Sequence, residues 1–204
     1  MTGHTGKGFP YALPTDALID WPTASLELAT KLEARASVVA SLPTSPADGD
    51  EVYYVHPAGT AVWHLRYRAA AGSYKWECIG GTPLYAVQTS VVQNGATGTW
   101  TNLLPSLISL PLAGQYEATA AGQIAAGASA CTVNTTLYQG TVAVPIGVQS
   151  AATLPAAGYA QAFALPAQNV QVAGSVNIGL AGMGNVVNCT FTNLGVRVMP
   201  LRLT

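Results

Sequence analysis

Charged side chains are scarce in this sequence. Asp, Glu, Lys and Arg make up 8% of its 204 residues and the net charge is −1, whereas a typical soluble domain carries about 25% charged residues. Glu117 is the sole charged residue between Cys78 and Val196. Nucleic acids and anionic membranes bind clustered Lys and Arg, so neither is expected as a partner. A surface so poor in charge persists more easily when other subunits cover part of it.

Long apolar runs are also missing. No stretch reaches the roughly 18 apolar residues of a membrane span, so membrane insertion is not expected. The opening sequence MTGHTGKGFPYALP has no apolar core of an export signal, so export by that route is not expected. The three cysteines, Cys78, Cys131 and Cys189, are more than 50 residues apart. They match no short-range metal or redox motif, and we interpret them as small buried residues.

Residues for catalysis or metal binding are few. Glycoside hydrolysis needs two facing carboxyl groups, and the second half of the chain offers only Glu117. No GxSxG, HExxH or phosphate-binding glycine loop occurs. His56 and His64 could meet across a hairpin, but two ligands leave a metal site incomplete. The sequence therefore predicts no enzyme, no metal and no cofactor.

Two N-terminal segments have different characters. Residues 1–22 are rich in Gly and Pro and predict an extended arm, whose Phe9, Tyr11 and Trp21 it cannot bury against itself. The arm either folds back onto its own domain or docks on a neighbouring chain. Residues 23–40 hold one short helix, over 23–36, which presents one apolar face formed by Leu28, Leu32 and Ala36. A helix this short is marginal alone, so a homo-oligomeric bundle is one candidate.

Two β-rich regions follow. Residues 41–84 predict an aromatic-rich antiparallel meander with strands Glu51–His56, Ala61–Arg68 and Ser73–Ile79. Its aromatic residues favour a small core over a sugar-stacking platform. Residues 85–204 show short alternating patterns, with Tyr116, Ala118 and Ala120 opposing polar neighbours, which predicts a jelly-roll-like β-sandwich. The alternating run Val142, Val144, Ile146 and Val148 is assigned to one of its strands. The fold class is therefore mainly β.

Three passages resemble tail-fibre or minor tail proteins of tailed bacteriophages. GFPYALPTDALIDWPTASLELATKLE is similar to the virion-proximal end of such fibres. SLPTSPADGDEVYYV and VWHLRYRAAAGSYKWECIGG resemble a module that recurs in phage structural proteins. TWTNLLPSLISLPLAGQYEATAAGQI and FTNLGVRVMPLRLT resemble the first and last strands of a fibre head. No long shaft separates the helix from the head, so the resemblance implies a short fibre.

The resemblance implies a homotrimeric virion component that is assembled in the host cytoplasm. Residues 1–22 would dock on other virion structural proteins through Phe9, Tyr11 and Trp21, and the helix would form the trimer contacts. A capsid decoration protein or head fibre would show the same order of parts. A cell-surface lectin would share the head, but it should carry an export signal.

Host recognition is expected in the head loops farthest from the helix, because loops on a rigid scaffold commonly carry binding. The predicted loops are 125–130, 150–161 and 182–185. Tyr159 is their one aromatic residue, and it could stack on a sugar ring of a host-surface glycan. The alternative is a head that acts only as a spacer.

Overall fold

The computed structural model describes residues 2–4, 10–12, 37–93, 97–140, 145–186 and 189–204. All regular elements in these ranges are β-strands, so the predicted mainly-β fold is confirmed. The described part of the chain contains no helix that could cross a membrane. The helix predicted over 23–36 lies outside the described residues.

The strands in chain order are β1 (Thr2–His4), β2 (Pro10–Ala12), β3 (Val38–Val39), β4 (Glu51–Val55), β5 (Val62–Tyr67), β6 (Trp76–Gly81), β7 (Leu84–Gln88), β8 (Val92–Gln93), β9 (Thr101–Asn102), β10 (Ile108–Leu110), β11 (Gly114–Ala125), β12 (Cys131–Gln139), β13 (Pro145–Leu154), β14 (Ala160–Val172), β15 (Val176–Gly184) and β16 (Thr190–Leu203).

Two sheets pack into the predicted sandwich. The larger sheet has nine strands in the order β14-β11-β16-β6-β5-β4-β3, and β7 and β8 also pair with β16. The smaller sheet has five strands in the order β10-β15-β12-β13, with β9 paired to β15. Strands β1 and β2 form a separate antiparallel pair, in which Tyr11 lies opposite Gly3.

The core lies between the two sheets. On β11 the predicted alternation is confirmed, since Tyr116, Ala118 and Ala120 are buried and the residues between them are half-buried. On the facing sheet Leu137, Ile178 and Leu180 are fully buried. Each such large apolar side chain contributes about 1.5–3 kcal/mol when it leaves water.

The meander extends the larger sheet. Strands β4, β5 and β6 form it, and β6 continues into the head by pairing Trp76 with Leu203 and Glu77 with Arg202. Its aromatic residues form a core, as predicted: Tyr54 and Trp63 are buried and their rings stack 5.6 Å apart. The third meander strand begins at Trp76, later than predicted, because Ser73–Lys75 complete the turn that the Arg68 N–H closes by donating to the Lys75 carbonyl.

One predicted alternation is wrong. Val148 is 55% exposed, although it continues the alternating run Val142, Val144, Ile146, Val148 that the sequence assigned to one face of a strand. Gly147 has a φ of +69° in this strand, and the register between β12 and β13 shifts between Thr135 and Leu137. This irregularity breaks the alternation of faces on which the prediction depended. Residues 141–144 lie outside the described ranges.

Candidate functional site

Strand β16 links the two ends of the head. Near its C-terminal end Leu203 pairs with Trp76 of the meander. At its start Thr190 pairs with Gln93 on one side and Ala125 on the other. The 14 residues of β16 span roughly 45 Å at the usual strand rise of about 3.3 Å per residue. The meander, which follows the N-terminal segments in the chain, therefore lies at one end of the head, and the opposite end is free of it.

That opposite end, which we call the distal end, is formed by 126–130, 155–159, 185–186 and 189. Hydrogen bonds hold its segments together. The Ala126 N–H donates to the Tyr159 carbonyl at 2.9 Å, and the Gly158 N–H donates to the Ala126 carbonyl at 3.0 Å. The Asn185 side-chain oxygen accepts from the Thr132 N–H at 2.7 Å. The distal end is thus a cluster of short segments on a rigid frame.

Tyr159 lies on the distal end with 49% of its surface exposed. It closes the turn between β13 and β14, and its N–H donates to the Ala156 carbonyl at 3.2 Å. Gly158 before it has a φ of +71°, a conformation that glycine adopts readily. The backbone of the turn is held on both sides, so the Tyr159 side chain projects from a backbone of defined conformation.

Two of the predicted loops are shorter in the structure. Of 150–161, only 155–159 leaves the strands. The loop predicted at 182–185 is wrong over Gly182–Gly184, which belong to β15. Gly182 lies in the strand because glycine, which has no side chain, leaves room for Phe191. A ring carbon of Phe191 would lie 2.5 Å from an added Cβ. The sequence pattern could not separate such a packing glycine from a loop glycine.

Other predicted site residues lie elsewhere. Leu28, Leu32 and Ala36, the predicted oligomerisation residues, lie outside the described ranges, as do Phe9 and Trp21. Tyr11 is in β2. The roles predicted for these residues stay predictions.

The histidines do not meet. His56 Nδ1 accepts from the Ala58 N–H at 3.2 Å, and its Nε2 lies 3.0 Å from the Ser109 carbonyl. His64 stacks on Tyr53 with ring centroids 4.5 Å apart, and its Nε2 lies 3.0 Å from Glu51 Oε2. Over the ranges the structure describes, no group of three possible metal ligands occurs.

The described charged residues lie either on strands of the larger sheet or in the turns of the meander. Glu77 accepts from Arg66 and Arg68 at 3.2 Å each, and these two hydrogen bonds hold the pKa of its carboxyl below the ordinary value. Glu117 and Arg197 lie on β11 and β16 and are separated by 3.9 Å. Both are more than a third exposed, so this pair contributes little to stability.

Sequence reasoning missed two features. Cys131 and Cys189, far apart in sequence, are both buried and close enough for their thiols to interact. Burial, together with a smaller effect of the neighbouring Cys189 thiol, raises the pKa of Cys131 to about 12. The second feature is an apolar depression on the outer face of the larger sheet beside Tyr85 and Val87, which are 65% and 66% exposed. The residues of both features are far apart in the sequence, and only the pairing of the strands shows that they are neighbours.

Comparison with known proteins gives matches to solved structures but not to sequence families. No family model matches the chain, and no curated protein does. Among solved structures, the fold is similar to chains from infectious bursal disease virus of the Gx strain (13% identity, TM-score 0.39) and the Gt strain (12% identity, TM-score 0.40). Each alignment covers 79% of this chain and 44% of the viral chain, so this chain spans less than half the length of those proteins. The VP2 subviral particle of that virus aligns at 12% identity with a TM-score of 0.20, covering 80% of this chain and 51% of that one.

Proposed function

We propose that this protein is a structural component of a virion, a short trimeric tail fibre or minor tail protein of a tailed bacteriophage. Residues 1–22 dock on other virion proteins through Phe9, Tyr11 and Trp21. The helix that contains Leu28, Leu32 and Ala36 joins three copies. The head is presented to the host surface. The observation that carries this proposal is the separation of the meander and the distal end along β16.

Polarity supports the proposal. The chain reaches the meander at Ser37, whose carbonyl accepts from the Tyr53 N–H at 2.9 Å. A head anchored through the residues before Ser37 would turn the distal end outward, because the meander and the distal end lie at opposite ends of β16. The sequence resemblance to fibre attachment segments covers those same residues before Ser37.

The chemistry of the distal end supports a glycan as the host ligand. Its described segments carry no charged residue. They offer the exposed ring of Tyr159, the Ser129 hydroxyl and backbone groups, which suit the apolar face and the hydroxyls of a sugar. A neutral glycan is therefore favoured over an acidic one.

Competition for host cells tests the proposed recognition. Purified full-length protein in excess should slow adsorption of the phage to susceptible cells. Tyr159→Ala should weaken this effect at least several-fold while leaving the unfolding temperature unchanged. Val148→Ala, at a similarly exposed apolar position on β13, is the matched control. A folded protein that neither binds cells nor competes would leave the head as a spacer.

Deletion of residues 2–22 tests attachment separately. The truncated protein should fold and fail to enter particles. Normal incorporation would refute docking by the arm. If the wild-type protein enters particles, immunolabelling at the capsid instead of the tail would select a capsid decoration protein or head fibre.

A further inference from the structure

A depression of about 410 Å³ lies on the outer face of the larger sheet. Strands β7, β16, β11 and β14 are neighbours there. We define the outer patch as Tyr85, Val87, Thr119, Ala121, Ala164, Gly195 and Arg197, all of which line the depression. No residue of the outer patch belongs to the distal end.

The outer patch is apolar because small residues form its floor. Ala121 lies opposite Ala164 on one side and Gly195 on the other. Tyr85 and Val87 stand beside this floor, since they pair with Arg197 and Gly195. Their exposed fractions of 65% and 66% are high for large apolar side chains on a regular strand. Contiguous exposed apolar surface of this kind marks an interaction site.

The charges at the edge of the outer patch are balanced. Arg197 pairs directly with Tyr85 across the strands, and Glu117 lies on β11 opposite Met199. The closest atoms of Arg197 and Glu117 are 3.9 Å apart, which is too long for a hydrogen bond. Both groups therefore keep free hydrogen-bonding positions. A face that carries one cation and one anion is complementary in charge to another copy of itself. It offers no such advantage to a strongly acidic or basic partner.

We propose that the outer patch binds a second copy of this chain, with Arg197 of one copy facing Glu117 of the next and Tyr85 entering the neighbouring depression. This inference rests on the proposed oligomer and locates contacts within the head, in addition to those predicted for the helix. Covering Tyr85 and Val87 removes from water the most exposed apolar side chains of β7.

Charge exchange tests the contact in the full-length protein. Arg197→Glu gives a face with two anions, and Glu117→Arg gives a face with two cations. Each variant alone should associate at least ten-fold more weakly than the wild type. The measure is the protein concentration below which the light-scattering mass falls toward that of a single chain. A mixture of the two variants should recover association, because each face then meets its opposite. The Glu117–Arg197 pair within one chain cannot account for this recovery, because in each variant both positions carry the same charge.

Apolar substitutions provide the second arm. Tyr85→Asp should weaken association, whereas Val148→Asp on the other sheet should not, although Val148 is 55% exposed. Circular dichroism and thermal unfolding establish that each variant is folded. Unchanged association of Tyr85→Asp and both charge variants would overturn the proposal, and chemical-shift changes at Tyr85 on adding methyl hexosides would then assign the patch to sugar.

Failure here differs from failure of the proposed function. A wild-type monomer at every concentration contradicts both the outer-patch contact and the trimer. A stable wild-type oligomer that ignores the outer-patch variants and dissociates with Leu28→Asp and Leu32→Asp removes only the outer-patch contact. Host binding through Tyr159 is measured by adsorption and depends on neither result.

Discussion

At the scale of single residues, the meander depends on Glu77 and on the glycine that ends β6. Glu77 lies between Arg66 and Arg68 and accepts from both. Gly81 has a φ of +125°, and a Cβ there would overlap the Val62 carbonyl and lie 2.8 Å from the Trp63 Cα. Each residue has a counterpart of the same type that lacks these close contacts. Glu117 is the matched control for Glu77, and Gly80 is the matched control for Gly81.

Glu77 makes stability depend on pH. Its folded pKa is lowered by the two arginine hydrogen bonds, so the folded state favours the ionised carboxyl. This contribution is fully present above the ordinary value of 4.5 and is lost as the pH falls through the lower folded pKa. Glu77→Gln should lower the unfolding temperature at neutral pH and have little effect in strong acid. Equal losses at both pH values would contradict this account; Glu117→Gln, with its 3.9 Å contact, should cause a smaller loss.

Gly81→Ala should destabilise the protein by about 1–3 kcal/mol, because alanine is strained at this φ and its Cβ meets the backbone of β5. The adjacent Gly80→Ala is the control, since its added Cβ would find its nearest neighbour, His64 Cβ, at 3.9 Å. Urea unfolding measures both. Equal stabilities for the two variants would contradict this, because the backbone near Gly81 would then accept a Cβ without loss of free energy of unfolding.

At the scale of elements, β15 packs closely on both of its faces. Gly179 lies under the Tyr138 ring, and Gly182 lies under Phe191 and Leu103. Leu180 and Ala181 between them are both fully buried. In the sequence a packing glycine such as Gly182 looks the same as a turn glycine, which is why the end of β15 was predicted as a loop.

Gly182→Ala should cost about 1–3 kcal/mol through overpacking against Phe191. Phe191→Leu in the same chain should recover part of that loss, although Phe191→Leu alone destabilises. Gly174→Ala, where an added Cβ meets nothing within 4 Å, is the neutral control. A double variant whose loss equals the sum of the two single losses would argue against direct packing between these positions.

The pairing of the strands explains how much of the fold the sequence could predict. The alternation on β11 predicted its buried face, because Tyr116 and Ala118 point to the core while Glu117 does not. The pairing of Trp76 with Leu203 joins residues more than 100 positions apart, and no local pattern encodes such a contact. The outer patch was missed for the same reason. For Tyr159, the sequence predicted a head loop far from the helix, and the strand register places its turn at the end of β16 opposite the meander.

At the scale of the whole molecule, the meander and the head share one sheet. Trp76 pairs across from Leu203, and the Tyr116 ring lies 6.3 Å from that of Trp63. The His56 ring also contacts the Ser109 carbonyl of β10. The residues predicted as a separate module at 41–84 are therefore packed against the residues of 85–204.

This continuity predicts a single unfolding transition for 37–204. In a Trp21→Phe, Trp100→Phe background, fluorescence reports Trp63 and Trp76 of the meander, whereas far-ultraviolet circular dichroism reports all strands. The two midpoints in urea should coincide. Earlier loss of the fluorescence signal would mean that the meander unfolds as an independent unit.

The central claim is that this protein stands on a virion with its distal end outward, and labelling of intact particles tests it most directly. An antibody against the turn at 155–159 is applied to particles from cells that carry the gene and is viewed by electron microscopy. The account predicts label on intact particles, at fixed sites, and reduced adsorption of the labelled particles. Purified particles that lack the protein, or that bind the antibody only after disruption, would contradict it.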